Sequence, residues 1–153
     1  MDNIPSYTKG KRHPETIRYD HPLLEPILNV TYGIMVYQEQ VIETARVLSG
    51  YSVSRADELR AMISKKKKKL FSAERKIFVH GDAAKKIPGA VKNGVPAVIA
   101  DKIFDDIIKF GDYAFNKSHA TAYAYLAYQT AYLKKILYGG IHHRRLKQPH
   151  YQY

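Results

Sequence analysis

The 153-residue chain contains no cysteine, which removes disulfides, thiolate metal sites and cysteine nucleophiles together. No run approaches the ~18 consecutive apolar residues of a membrane helix, and the N-terminus has no apolar stretch like that of a signal peptide. The expectation is a cytoplasmic protein with no membrane partner. Acidic residues are few: 14 Asp and Glu face 25 Lys and Arg, a formal charge of +11 that points to a polyanionic partner. Candidate metal ligands are equally sparse. Asp105 and Asp106 are adjacent and project in different directions around a helix, and His142-His143 has no carboxylate or cysteine beside it, so no metal site and no catalytic residue is assigned.

What is present reads as one globular, all-α domain with a modest core, since 45% of the residues are hydrophobic and 25% charged. Residues 1–30 carry Pro5, Pro14, Pro22 and Pro26, a spacing that permits no long helix. They read as an extended segment with one short turn of helix near Leu23 to Leu28. A periodic stretch from Ile34 to Ser49 predicts the first long helix, stopped by Gly50, with Gln38, Glu39, Gln40 and Glu43 on its polar surface. Gln38 and Gln40 have the chemistry to read a base or a sugar, or are simply solvated.

Ser54 and Asp57 resemble a capping box for the next helix, whose stripe is Ala56, Leu59, Met62 and Ile63. That helix is expected to continue into Lys65–Lys69, placing Arg60, Ser64, Lys67 and Lys68 on one side as a basic ridge able to track a phosphate chain. A solvated charge run is the alternative. Leu70, Ala73, Ile77 and Phe78 continue a stripe towards Gly81, with Glu74, Arg75 and Lys76 outside. Residues 82–96 form a glycine- and proline-broken connector, unlike a phosphate-cradling loop, before an amphipathic helix from Ala97 to Phe110 ended by Gly111.

The stretch from Phe115 to Tyr123 opens an alanine- and tyrosine-rich helix expected from His119 to about Tyr138. Asn116, Lys117, Ser118 and His119 put an amide, a cation, an N-cap hydroxyl and an imidazole at the positive end of the helix dipole, a composition suited to phosphate. The same residues also serve as a plain cap. After Lys135 the character changes, and residues 136–153 are expected to be a disordered tail.

Taken together, several stretches carry a resemblance in their order and spacing. They are Tyr32 to Val41, Arg55 to Arg60 leading into Ser64 to Lys67, Lys102 to Asp105, Phe115 to Ala120, and Tyr128 to Lys134. Over about residues 1–135 the chain resembles the fingers region of the bacterial DNA polymerase III alpha subunit family, the C-family replicative polymerases. The resemblance implies an irregular helical fingers domain at 31–135, a palm-to-fingers connecting segment at 1–30 and a divergent tail at 136–153. It implies DNA-directed DNA synthesis in replication, with DNA primer-template and deoxynucleoside triphosphate as substrates and the remainder of the alpha subunit and the replicase as partners. Carried over by position, Arg60, Lys65, Lys66, Lys67, Asn116, Lys117, Ser118 and His119 are nucleotide or DNA contacts, with Gln38 and Gln40 in support.

Three departures qualify what the resemblance implies. The family's Mg2+-binding carboxylates lie in the palm, upstream of anything matching Met1, so this fragment alone is expected to be inactive and to bind no metal. Ala61 stands where the family usually has a second arginine. Beyond Lys134-Lys135 the expected aromatic and proline continuation is missing, and Ile136-Leu137 is what an added adenine before two TAT codons produces. Alternative readings are a free-standing, non-catalytic nucleic-acid-binding helical protein and an inactive gene remnant.

Overall fold

The computed structural model describes residues 4–111 and 115–146, with 138–146 described by their backbone alone. Among the described residues the regular elements are helical: α1 (Ile4–Arg12), α2 (Glu25–Leu28), α3 (Gln38–Ser49), α4 (Val53–Ser64), α5 (Lys68–His80), α6 (Ala97–Phe110) and α7 (Lys117–Leu146), joined in places by short 3-10 turns. No described helix is long and apolar enough to cross a membrane. The chain divides into two units, Met1–Asn116 and Lys117–Tyr153.

The first unit is built around α3, α4, α5 and α6, with α3 packed on α4 and α5 on α6. Its centre holds Leu48, Leu59, Phe78, Ile103, Phe104 and Ile107, all essentially without solvent exposure. The Phe78 and Phe104 rings lie 5.3 Å apart between α5 and α6. Full burial of each such side chain contributes roughly 1.5–3 kcal/mol, so these rings and branched residues dominate the fold's stability.

The proline spacing leaves room for one element it did not suggest. α1 occupies the gap between Pro5, which sits in the first turn where its missing N–H costs nothing, and Pro14. The short helix near Leu23 to Leu28 is present as a 3-10 turn over Pro22–Leu24 followed by α2, and together they deliver Leu24 and Leu28 to the core.

α3 begins four residues later than its periodicity suggests. Tyr32 and Gly33 have positive φ, of 56° and 83°. Gln40 then sets the start by turning back, its Oε1 accepting from the Val36 and Tyr37 N–H groups at 2.8 and 3.0 Å. Gly50 stops the helix as expected, in the left-handed region at φ 73°. The cap of α4 is Ser52 rather than Ser54: its hydroxyl accepts from the Arg55 N–H at 3.2 Å.

The lysine run does not continue α4. The Lys66 N–H donates to the Ile63 carbonyl at 2.9 Å and the Lys67 N–H to the Met62 carbonyl at 3.2 Å, the bond pair of a Schellman stop, with Lys66 at φ 52°. A new helix starts at Lys68, so Lys67 and Lys68 do not share a helical face with Arg60 and Ser64, and the expected continuous ridge does not exist. A side chain in the left-handed region is strained by about 1–2 kcal/mol, and glycine is not. Lys66→Gly should therefore raise stability by about 1 kcal/mol in a denaturant titration, after glycine's greater unfolded-state entropy is offset.

Glu74 is the second correction in this region. It is not on the outside of α5 but 5% exposed. Its carboxylate is ion-paired to Arg55 of α4 and accepts the Tyr51 hydroxyl at 2.8 Å. Burial, and next the Glu74 charge, push the Tyr51 phenol far above its ordinary range. Arg75, also read as outside, bridges to Asp101 and Asp105 of α6, so these aspartates anchor α5 to α6. The Arg75 hydrogen bond holds the Asp105 carboxyl below the usual range.

The connector at 82–96 closes the end of α5. Ala90 and Val91 donate to the Phe78 and Val79 carbonyls at 2.9 and 3.0 Å, and Gly89 donates to Ser49 at 3.1 Å. α6 has the expected bounds and apolar stripe, but Gly111 ends it in right-handed helical geometry. Glycine is needed there for space, because a Cβ would overlap the Ile63 side chain.

α7 starts at Lys117, which puts Ser118 inside the helix and the preceding cap position at Asn116. It runs through Gly139 and Gly140 to Leu146, past the expected end at Tyr138. Residues 147–153, part of the tail expected to be disordered, lie outside the described residues.

Candidate nucleic-acid interface

In the first unit, Arg60 organises the site. It projects from α4 with its side chain 26% exposed. Its Nε donates to Asp57 Oδ1 at 2.7 Å, one turn earlier, and its Nη1 donates to Gln38 Oε1 at 3.3 Å. Two acceptors on two helices thus fix the guanidinium plane. Among the described residues no acceptor engages Nη2, the edge that remains for an anion. The Arg60 hydrogen bond and then its charge lower the Asp57 carboxyl, keeping that anchor ionised.

Gln38 in turn connects the site to the Phe115-Asn116 stretch. The Gln38 N–H donates to the Phe115 carbonyl at 2.9 Å, and the Phe115 N–H donates to the Val36 carbonyl at 3.3 Å, a short parallel pairing of the two segments. Backbone bonding therefore brings residues 77 positions apart in sequence beside one another, and Asn116 follows directly. Gln40 occupies a different setting. It is 6% exposed, and its amide nitrogen donates to the Ile27 carbonyl at 3.1 Å and to Thr31 Oγ1 at 2.7 Å. With its oxygen already holding two N–H groups, Gln40 shapes the start of α3 from inside.

Lys65, Lys66 and Lys67 are all exposed on the turn between α4 and α5. In the second unit, Lys117, Ser118 and His119 form the exposed first turn of α7, where backbone N–H groups and the helix dipole favour an anion. The His119 ring lies 4.5 Å from that of Tyr123, one turn on. Asp57 was missed as a site residue because it reads as a cap. Its spacing of three from Arg60 was the available signal.

This arrangement can bind and orient anions. Among the described residues, no group of three His, Asp or Glu side chains is gathered so as to hold a metal ion. The described residues therefore offer no carboxylate cluster fitted to the Mg2+ of polymerase chemistry.

Residues 1–86 match the family described as the bacterial DNA polymerase III alpha subunit finger domain, more than half of the chain. The chain belongs to that family. Among its relatives, the DNA polymerase III subunit alpha of Halalkalibacterium halodurans is 47% identical over 134 residues, 88% of this chain and 11% of that protein. The subunit of Chlamydia trachomatis is 48% identical over the same share of this chain and 10% of its own. That of Aquifex aeolicus is 43% identical over 131 residues, 86% of this chain and 11% of its own. The chain thus spans about a tenth of the length of these polymerase subunits.

Proposed function

We propose that the chain acts as a fingers fragment of a DNA-directed DNA polymerase, contributing contacts to the incoming deoxynucleoside triphosphate and to DNA during replication in the cytoplasm. In this reading residues 1–30 join palm to fingers, 31–135 are the fingers proper and 136–153 a divergent tail. Its partners are primer-template DNA, the remainder of an alpha subunit and the replicase. Arg60, Lys65 to Lys67, Asn116, Lys117, Ser118 and His119 make the contacts. Gln38 holds Arg60, and Gln40 supports α3 from beneath. Mg2+, held by carboxylates outside this chain, would neutralise phosphate charge and activate the attacking hydroxyl.

The observation that carries the reading is Arg60 fixed by Asp57 and Gln38, with the Phe115-Asn116 backbone bonded to Gln38, in a member of the finger-domain family. A charge-assisted bond to phosphate contributes roughly 1.5–3 kcal/mol, so Arg60→Ala should weaken triphosphate binding by about 10-fold to 150-fold. Asp57→Asn, which retains the cation but loosens its orientation, should cost less. Titration of the chain and its folded variants with a fluorescent deoxynucleoside triphosphate checks this. Equal affinity for the unaltered chain, Arg60→Ala and Lys117→Ala would remove the assignment.

The exposure of all five residues Lys65–Lys69 favours one further reading, a non-catalytic basic module that binds nucleic acid through phosphates alone. That module would show no nucleotide selectivity and a logarithmic salt slope of about −0.9 per phosphate contact on duplex DNA.

A further inference from the structure

The side-chain amide of Gln40 can make four hydrogen bonds, two through its oxygen and two through its nitrogen, and all four are made. Oε1 accepts from the Val36 and Tyr37 N–H groups at 2.8 and 3.0 Å, and Nε2 donates to the Ile27 carbonyl at 3.1 Å and to Thr31 Oγ1 at 2.7 Å. Turning the amide over would set N–H groups against N–H groups, so only one orientation fits. Thr31 closes the 3-10 turn Asn29–Thr31 and is 2% exposed. Its hydroxyl donates to the Leu28 carbonyl at 3.2 Å, which leaves its lone pairs to accept from Gln40. A helix start needs less than this: in a capping box the third residue of the helix takes one backbone N–H, that of the residue before the helix. The bond to Val36 and both bonds from Nε2 are in excess of what α3 requires.

What the surplus holds is the segment on which the candidate interface rests. Val36 is gripped from both sides, its N–H by Gln40 and its carbonyl by the Phe115 N–H at 3.3 Å. Two residues on, Gln38 bonds the Phe115 carbonyl through its backbone at 2.9 Å and Arg60 through its side chain at 3.3 Å. A connected series of hydrogen bonds thus runs from Leu28 through Thr31 and Gln40 to Val36, and from there to Phe115. We infer that Thr31 and Gln40 are positioning residues for the candidate nucleotide site, fixing the 36–38 backbone against which Arg60 and Phe115-Asn116 are set. This deepens the fingers reading and rests on it. Both side chains are buried and the Gln40 amide is saturated, so neither is placed to bond an anion itself. Each acts through the backbone it holds.

Thr31→Val keeps the branched shape, removes the hydroxyl and strands one buried Gln40 N–H, whereas Thr31→Ser keeps the hydroxyl. The full chain and its variants would be titrated with a fluorescent deoxynucleoside triphosphate, and amide-hydrogen exchange followed by NMR. In Thr31→Val the affinity should fall about fivefold or more, and exchange at the Gln38 and Phe115 amides should quicken, as one unsatisfied buried group loosens the segment. Thr31→Ser should behave as the unaltered chain. Ile107→Val, which trims the buried face of α6, should lower the denaturant midpoint and leave the affinity unchanged. Unchanged affinity in a folded Thr31→Val, an equal loss in Thr31→Ser, or an equal loss in Ile107→Val would overturn the inference. If Thr31→Val does not fold, the unaltered chain decides. Saturating triphosphate should slow exchange of the Gln40 side-chain hydrogens more than that of the Phe104 amide, since groups whose order favours binding are ordered by it. Equal slowing would overturn the inference. A chain that binds no triphosphate defeats the nucleotide assignment and this inference together; binding indifferent to Thr31 defeats this inference alone.

Discussion

Glu74→Ala is expected to destabilise the first unit by roughly 3 kcal/mol, the lower part of the range for breaking a buried ion pair, because Arg55 retains some access to water. The substitution strands two groups at once: the Arg55 guanidinium loses its carboxylate, and the Tyr51 hydroxyl loses its acceptor. Arg55 also sits 5.4 Å from the centre of the Tyr51 ring, so α4, α5 and the chain after α3 are joined at one point. Glu74→Gln, which still accepts from Tyr51, should cost less. The double replacement Arg55→Met/Glu74→Leu should recover the part of the loss that comes from Arg55, because apolar side chains of similar volume avoid the desolvation of two charges, while the Tyr51 hydroxyl still lacks its acceptor. Denaturant midpoints of the three variants, with unchanged slopes, check the ordering. Equal losses for the single and double replacements would mean that the polar trio is not the cause.

Gly89→Ala should be similarly damaging, at roughly 3 kcal/mol or more, by strain and overlap rather than by charge. Gly89 has φ 82°, and a Cβ there would stand 2.5 Å from the His80 carbonyl carbon and overlap the Gly81 backbone nitrogen. Gly81, at φ 87°, is the other half of the same crossing. Neither backbone can retreat without giving up the bonds from Ala90 and Val91 to the end of α5. Gly94→Ala is the informative control. Its φ is also 87°, but nothing lies within 4 Å of the added carbon, so it tests strain without overlap. Thermal unfolding should rank Gly89→Ala well below Gly94→Ala, and equal midpoints would refute the close crossing.

These two sites mark the limits of what the residues disclose on their own. α6 was legible to both ends because its wide apolar stripe repeats at 3.6 residues between Pro96 and Gly111. Gly50 was legible as a stop because left-handed geometry selects glycine. The break within the lysine run was not, since Lys66 adopts the same geometry without being glycine. Burial of Glu74 was hidden because its partners Tyr51 and Arg55 lie 23 and 19 residues away, and a local pattern sees only a charged residue between apolar ones.

The same distinction holds at the candidate interface. Arg60 stands out in sequence through the basic run that follows it and the Phe115 to His119 stretch through its composition at a helix start, and the family resemblance implies nucleotide or DNA contact for Arg60 and for Asn116 to His119. What joins Gln38 to Arg60 and to Phe115 is a bond across 22 residues and a backbone pairing across 77, neither of which has a periodic signature. Gln40 shows the converse. A glutamine on a helix looks solvated in sequence, yet here a helix start that lacks Ser, Thr, Asp or Asn uses the Gln40 amide from within.

Photo-crosslinking with an azido-substituted deoxynucleoside triphosphate, followed by mass-spectrometric mapping of the adducts, tests the central claim most directly. Adducts should fall on the peptides carrying Gln38, Arg60 and Phe115-Asn116, should be competed by unlabelled triphosphate, and should diminish at all three in Arg60→Ala. Adducts spread over the exposed lysines in general, including Lys85 and Lys86 on the connector, and unaffected by Arg60→Ala would contradict it.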